Sequence, residues 1–470
     1  MNKKIKAILI GGVVLLLLVG IILVLSFSTK SKEENVSATS SLMVPIWNFE
    51  RTDILSISVE NENGGYMAEM MDDQNFGIRE LEEYPQNSHE YVTLTTRTAA
   101  LNATSLVEEN PSDLEKYGLD NPRVTAVISL KDGSKKSIFL GKDLPTHGGY
   151  YCRVNDDSKV YAVAGVDVDR LFFNKFQFLN LEIVPTISDE NATPNIPVLK
   201  IEGATFGDNP LILEKGETGN YGESYNIVSP IHAALNSSTG APLIQGLYGI
   251  TATSVVDIAK TTEKKAAYGF DKPYSVIHFT RDKTNFVLRI GGETTAEDGT
   301  AARYLMKSDS DLVYVIPVSS LPWITADINN LFSSLFLVPS INTVDTVTVE
   351  AGKNSYMFQT TGEDENLAVT LNGNKISAEN YRLMYEFLLS ASIKEINQGS
   401  TPGEMLAKIT YHYRDGKKSD DTLAFFAVSE RKCVISLNGD NSFLAETRYV
   451  DKLLSNCEKI SKGETPSLEL

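Results

Sequence analysis

The sequence is poor in the residues and motifs that carry out enzyme chemistry. It has 3 cysteines and 5 histidines in 470 residues, and so few cysteines cannot form a disulfide scaffold. The motifs of zinc peptidases, serine hydrolases, phosphate-binding loops and dinucleotide-binding folds are all absent. The sequence therefore predicts no catalytic, cofactor-binding or metal-binding residue, and no enzyme. A disulfide between Cys433 and Cys457 stays open, since their spacing alone does not exclude it.

The chain also has too little positive charge to bind nucleic acid. It contains 43 Lys and Arg against 61 Asp and Glu, which gives a formal net charge of −18. Five of the lysines lie in the first 32 residues, where no acidic residue occurs, so the rest of the chain is more acidic still. Such a body lacks the basic side chains that hold phosphate groups, and an anionic lipid surface repels it.

One long uncharged segment lies near the N-terminus. Residues 7–27 form a stretch of 21 residues without charge, which is long enough to cross a bilayer as a helix. Three lysines precede it, and this bias places residues 1–6 in the cytoplasm. The segment predicts a single-pass signal anchor in the cell membrane, in contact with membrane lipid, with the C-terminal body outside the cytoplasm. Cleavage near Ser37 stays an alternative.

A pattern of strands and turns recurs along the body. The first hairpin turns centre on Asp132, Asp282 and Asp415, which are separated by 150 and 133 residues. The clearest helix pattern covers residues 377–390, with Ser377 as its cap. The predicted fold class is α+β, with an N-terminal transmembrane helix followed by three repeated mixed strand and helix units with hairpins. The predicted boundaries are a cytoplasmic N-terminus (1–6), a transmembrane helix (7–27), a tether (28–46), repeat unit 1 (47–183), a linker (184–196), repeat unit 2 (197–336), repeat unit 3 (337–462) and a tail (463–470).

The first two units share a Tyr-Gly motif, at Tyr117-Gly118 and at Tyr268-Gly269. Glycine can end a short helical turn, and Pro122 or Pro273 prevents the helix from resuming before the next strand. We interpret the motif as structural, with the tyrosine ring packed beneath the turn. The third unit lacks it.

Acidic turns and scattered histidines also have structural interpretations. Asn155-Asp156-Asp157 and Asp309-Ser310-Asp311 cluster side-chain oxygens, but calcium needs six or more oxygens at a defined loop spacing. Asp and Asn also favour tight turns, so we interpret both segments as turns. His278 and His412 lie in strand-like runs and are interpreted as residues that fill sheet faces.

The order of motifs in the first unit resembles a known family. Residues 114–122 read Leu-Glu-Lys-Tyr-Gly-Leu-Asp-Asn-Pro and are followed by a strand, an Asp-Gly turn, a strand that ends at Gly141, and the segments 150–154 and 160–163. This order resembles the bacterial domain-of-unknown-function family 4340 over most of residues 47–335, and more weakly over the third unit. The resemblance implies membrane-anchored extracytoplasmic proteins associated with an ABC transporter system of the gliding-motility auxiliary type. It supplies no catalytic residues.

These observations lead to two main expectations of function. The first is a membrane-anchored extracytoplasmic accessory or scaffold protein of an ABC-transporter-type membrane complex, without catalysis, whose partner is a permease or an auxiliary subunit. The alternative is an extracytoplasmic glycan- or peptide-binding module, since 20 Tyr and 19 Phe supply aromatic surface; an aromatic cleft would favour it. A cell-envelope hydrolase would instead need a nucleophile, a histidine and a carboxylate within hydrogen-bond reach.

Overall fold

The fold is built mainly from antiparallel β-sheets. The computed structural model describes residues 43–72, 75–187, 193–216, 225–335, 337–414, 416 and 418–469. Strands make up 43% of the structure and helices 22%, and the described strands form five antiparallel sheets. The predicted α+β class is therefore wrong. Short apolar runs fit a helix and a strand equally well, and pairing with distant strands decides between them.

One segment illustrates this correction. The apolar spacing over residues 91–106 predicts a helix, but the observed helix ends at Ala99. The chain then continues directly as two strands, of which Ala100–Ala103 pairs with Val44–Asn48 at the start of the described chain. The tertiary partner therefore overrides the local helical period.

No helix in the described part of the chain is long and apolar enough to cross a membrane. The predicted single-pass localisation and the predicted transmembrane helix are corrected accordingly, since none of the described helices supports them. Residues 1–6, the predicted span 7–27 and most of the predicted tether lie outside the described residues.

The chain folds as two compact units, and the first comprises the residues up to Glu82 together with Asn87–Lys175. Its main sheet has the strand order β4-β3-β2-β7-β8-β9-β10-β6, and β1 pairs with β5. The elements are β1 (Val44–Asn48), β2 (Ile54–Asn61), β3 (Tyr66–Met70), β4 (Phe76–Gly77), α1 (Ser88–Ala99), β5 (Ala100–Ala103), β6 (Ser105–Glu108), β7 (Val124–Leu130), β8 (Lys135–Asp143), β9 (Gly149–Val154), β10 (Val160–Ala164) and α2 (Gly165–Val168).

The second unit comprises Glu83–Gln86 and the residues from Phe176 onward. It contains two nine-stranded sheets, and the first of them has the order β15-β14-β13-β12-β18-β19-β20-β21-β17. The elements up to this point are β11 (Glu182–Val184), β12 (Val198–Gly203), β13 (Leu211–Lys215), β14 (Tyr225–Ser229), β15 (Ala233–Ala234), α3 (Ser237–Gln245), β16 (Ile250–Thr251), β17 (Ser254–Ile258), α4 (Thr262–Ala267), β18 (Ser275–Arg281), β19 (Thr284–Thr295), β20 (Ala301–Lys307) and β21 (Leu312–Pro317).

The other sheet of the second unit has the order β25-β24-β23-β22-β27-β28-β29-β30-β26. The three large sheets thus follow one pattern, in which a meander, a helix, an edge strand and a second meander succeed each other along the chain. The remaining elements are β22 (Val344–Ala351), β23 (Asn354–Thr361), β24 (Ala368–Leu371), β25 (Asn374–Ile376), α5 (Ala378–Leu389), β26 (Glu395–Ile396), β27 (Met405–Tyr413), β28 (Asp421–Ala427), β29 (Lys432–Leu437), β30 (Asp440–Glu446) and α6 (Thr447–Ser461).

Local sequence signals explain several of these elements. Strand β7 buries every second residue, as its alternating sequence predicts. The cap of α5 is confirmed, since the Ser377 side chain accepts a hydrogen bond from the Asn380 amide. Asn438 and Gly439 both have positive φ and connect β29 to β30, as an Asn-Gly hairpin turn requires. Asp415, the centre of the third predicted turn, lies outside the described residues.

The core under the third sheet contains a cluster of buried tyrosines. Tyr381 and Tyr411 are fully buried, and neither hydroxyl has a hydrogen-bond partner among the described residues. Tyr385 lies between them, with its ring centroid 5.9 Å from that of Tyr381 and 6.4 Å from that of Tyr411. Its hydroxyl donates to the Pro339 carbonyl at 3.0 Å.

We expect Tyr411→Phe to leave the protein as stable as before or to stabilise it by about 1 kcal/mol, because the change removes a buried hydroxyl without a partner. Tyr385→Phe is the control, and it should lower the free energy of unfolding by about 1 kcal/mol through the lost hydrogen bond. Guanidinium denaturation measures both variants. A clear loss of stability in Tyr411→Phe would show that its hydroxyl has a partner, such as a buried water.

Candidate functional site

The second unit contains an apolar cavity of about 340 Å³ between its two large sheets. This volume lies within the range of about 300–1,000 Å³ that is typical of ligand sites. Two short stretches of the chain line it together with four single residues, and we call it the junction cavity. The lining residues are 226–228, 232–234, Ser333, Leu335, Ile393 and Leu437.

The β14–β15 hairpin forms one wall of the junction cavity. Asn226 pairs with Ala234 and Ile227 with Ala233, so the short strand β15 is the outer edge of its sheet. The two alanines have the smallest side chains in this wall and leave space in front of the sheet edge.

The segment 331–335, which we call the connector, forms a second wall. It first pairs with β15, where the Asn236 amide donates to the Leu331 carbonyl at 2.7 Å and the Ser333 amide donates to the Ala234 carbonyl at 2.8 Å. It then turns towards the other sheet, where the Ile393 amide donates to the Ser334 carbonyl at 2.9 Å. The cavity lies where the connector leaves the β15 edge.

Aromatic packing fixes the connector in place behind the cavity. The Phe332 ring lies 5.3 Å from the Phe443 ring of β30, measured between centroids. Both rings are buried, and neither belongs to the cavity lining. The junction between the two sheets is therefore held by packed side chains and by backbone hydrogen bonds.

Few polar groups reach the junction cavity. Asn226, His232 and Ser333 supply them, whereas the other lining residues are apolar. His232 is exposed. Leu335 is 50% exposed, which is unusual for a leucine beside other apolar side chains. A concave apolar surface with a few polar groups at its margin is the usual form of a binding site.

Apart from the junction cavity, the Tyr-Gly motif belongs to a polar cluster that occurs in both units. The Tyr117 hydroxyl donates to Glu108 Oε2 at 2.5 Å, and Lys116 Nζ lies 2.7 Å from the same oxygen. Tyr268 donates to Asp257 at 3.2 Å, and Lys264 forms an ion pair with the same carboxylate. Each motif thus ties an acidic residue of an edge strand to the turn.

The backbone explains why this arrangement needs glycine. Gly118 caps its turn in the left-handed conformation, with φ 67°, and Gly269 has φ 79°. The predicted structural role of the first motif is confirmed by this cap. The Tyr117 ring packs against Tyr151 at a centroid distance of 4.8 Å. Burial raises the pKa of Tyr268 to about 12, so its hydroxyl remains a donor at neutral pH.

The first of these clusters predicts a pH dependence. The hydrogen bond from Lys116, and then that from Tyr117, holds the pKa of Glu108 below its usual value of 4.5. A depressed carboxyl pKa contributes stability that is present above pH 4.5 and is lost as the pH falls through the folded-state pKa. We expect Glu108→Gln to reduce the acid sensitivity of the first unit in this window. Denaturation at several pH values measures how the free energy of unfolding depends on pH. The same dependence in Glu108→Gln as in the natural sequence would contradict the role assigned to Glu108.

The cysteines singled out in the sequence are buried, and two residues of the second acidic turn form ion pairs. Cys152, Cys433 and Cys457 are free and buried, so no Cys433–Cys457 disulfide forms. Burial raises the pKa of the Cys433 thiol to about 11. Asp309 and Asp311 form ion pairs with lysines, and the described residues contain no group of His, Cys, Asp and Glu that could hold a metal.

The two strand histidines lie beside single acidic residues. His278 Nε2 is 3.8 Å from Glu202, and His412 Nδ1 is 2.7 Å from Asp420. Both lie on half-exposed faces of their sheets. The junction cavity has no comparable signal in the sequence, because its lining residues are spread over more than 200 positions and come together only through the folding of two sheets.

Comparison with known proteins identifies one family. The model described as "Domain of unknown function (DUF4340)" matches residues 78–203 and 226–398. The match includes both Tyr-Gly motifs and most of the junction cavity. No curated protein and no solved structure matches the chain.

Proposed function

We propose, from the premise that the chain belongs to the DUF4340 family, that it is a non-catalytic accessory or scaffold protein that binds a partner protein. The partner class follows from the family resemblance and is a permease or an auxiliary subunit of an ABC-transporter-type complex. The junction cavity is the proposed contact site.

The observation that supports this proposal is the apolar lining of the junction cavity. Leu335 and Ile393 face it from the connector and from the segment before β26, and Ile227 faces it from β14. Transfer of apolar surface from water stabilises association by about 25 cal/mol per Å². An exposed leucine in such a concave surface gains this stabilisation only when a partner covers it.

The alternative function is a binding module for a glycan or a peptide. Sugar rings are commonly held by stacking on aromatic side chains, and the described residues that line the junction cavity include no Phe, Tyr or Trp. An apolar cavity beside a sheet edge suits a peptide better, because the edge offers backbone groups and the cavity offers space for a side chain. We therefore retain the peptide form of this alternative.

The test is crosslinking in cells of a tagged full-length chain, followed by mass spectrometry of the recovered proteins. Recovery of a transporter permease or ATPase is expected with the natural sequence and should be lost in Leu335→Asp, which places a charge in the cavity. Val428→Asp is the matched control, because Val428 is also an exposed apolar residue of the second unit and is not part of the cavity lining. Recovery of envelope polymers alone, or equal recovery from both variants, would contradict the proposal.

A further inference from the structure

We infer that the junction cavity recognises an extended strand of its partner, which pairs with the backbone of His232 at the β15 edge and places one aliphatic side chain in the cavity. The inference rests on the proposed function and adds the chemistry of recognition. It identifies the ligand as a β-strand with one aliphatic side chain, the anchor, that enters the junction cavity.

The connector already shows how this edge accepts a strand. It pairs with β15 through Ala234, whose carbonyl accepts the Ser333 amide. In an antiparallel ladder, residues two positions apart direct their backbone groups to the same edge. His232 directly precedes β15, two positions from Ala234, and we place its amide and carbonyl at the edge that the connector has left.

The backbone of His232 is available for this pairing. No hydrogen bond joins it to any residue in the described part of the chain. The connector turns away at Ser334 to pair with Ile393, and the junction cavity occupies the space that it vacates. An unpaired edge beside a cavity is the arrangement that binds peptides by strand addition.

The lining of the cavity determines which side chain the strand should carry. Side chains of a strand alternate between its two faces, so a strand paired at His232 directs every second side chain towards Ala233, Leu335 and Ile393. These residues are apolar and belong to the cavity lining. Replacing a leucine anchor by alanine would remove about three buried carbon groups and should weaken binding at least about tenfold.

The probes are linear peptides selected by phage display on the full chain, long enough to form a strand of about six residues. Selected sequences should share one aliphatic position with strand-forming residues around it. A series of synthetic peptides, each methylated at one backbone nitrogen, then tests strand pairing. Methylation should weaken binding several-fold at the one position whose amide donates to the His232 carbonyl, because the methyl group removes that donor.

Three outcomes would overturn the inference. Selection of peptides without a common aliphatic position is the first, equal effects of methylation at every position are the second, and equal binding to Leu335→Asp and Val428→Asp is the third. Leu335 is exposed, so its substitution should not unfold the chain, and a circular dichroism spectrum checks this. If crosslinking in cells still recovers a transporter component through the cavity, the proposed function survives and only the strand mode fails.

Discussion

Gly291→Ala is expected to lower the free energy of unfolding of the second unit by about 3 kcal/mol, whereas Gly292→Ala should change it little. A Cβ atom at Gly291 would lie 2.2 Å from the Tyr268 carbonyl oxygen and 2.9 Å from the Phe270 ring. At Gly292 the nearest atom would be the same oxygen at 3.6 Å, an ordinary contact. The Tyr268 carbonyl oxygen is a backbone atom and cannot move away without breaking the Tyr-Gly turn.

This difference follows from the architecture of the repeat. Strand β19 has a bulge between Ile290 and Glu293, and the Gly292 amide donates to the Tyr268 carbonyl at 2.8 Å. The same contact occurs in the first unit, where a Cβ at Gly141 would lie 2.1 Å from the Tyr117 carbonyl. The glycine of the strand and the Tyr-Gly motif are therefore two parts of one docking arrangement.

Tryptophan fluorescence can measure the effect in the second unit alone. The chain has 2 tryptophans, and Trp323 is fully buried in the second unit. In a Trp47→Phe background, Trp323 is therefore the single reporter. Equal denaturation midpoints for Gly291→Ala and Gly292→Ala would show that the turn does not dock closely on the strand.

Arg281→Ala is expected to lower the free energy of unfolding by a similar amount, about 3 kcal/mol. Arg281 is 9% exposed, and its Nη1 donates to the carbonyls of Pro185, Leu247 and Tyr248 at 2.7, 3.3 and 3.1 Å. Alanine would remove the donor that these carbonyls share, and the hydrogen bond to the Leu247 carbonyl is buried. The guanidinium also lies over the Phe286 ring, 5.6 Å from its centroid.

The control for this prediction is Arg289→Ala. Arg289 lies on the neighbouring strand β19 and is half-buried. Its substitution removes a similar side chain but leaves the hydrogen bonds from Arg281 to the three carbonyls in place. Hydrogen exchange at residues 246–249 gives a local readout, and it should accelerate in Arg281→Ala only. Equal exchange in the two variants would mean that Arg281 does not hold the end of α3.

The sequence predicts the local features of this fold better than its class. Alternation in β7, the Ser377 cap and the Gly118 turn depend on near neighbours, and the structure shows each of them. The helix predicted over 91–106 failed after Ala99, because pairing of the following residues with Val44–Asn48 is a long-range interaction. Local periodicity carries no information about such a partner.

The junction cavity was not predictable for a related reason. Its walls come from a hairpin, the connector and the third large sheet, and each segment alone resembles an ordinary strand or loop. Ala233 and Ala234 give a weak signal, since small side chains in a short edge strand leave space. Their meaning depends on Leu335 and Leu437, which only the tertiary structure brings near.

The most direct test of the account replaces Leu335 with a photo-crosslinking amino acid in the full-length chain in cells. Met357 is the control position, because it is 36% exposed in β23 of the second unit and does not line the junction cavity. We expect a transporter permease or auxiliary subunit to crosslink from position 335 and not from position 357. No protein adduct at position 335, or the same adducts from both positions, would contradict the claim that this cavity binds a partner.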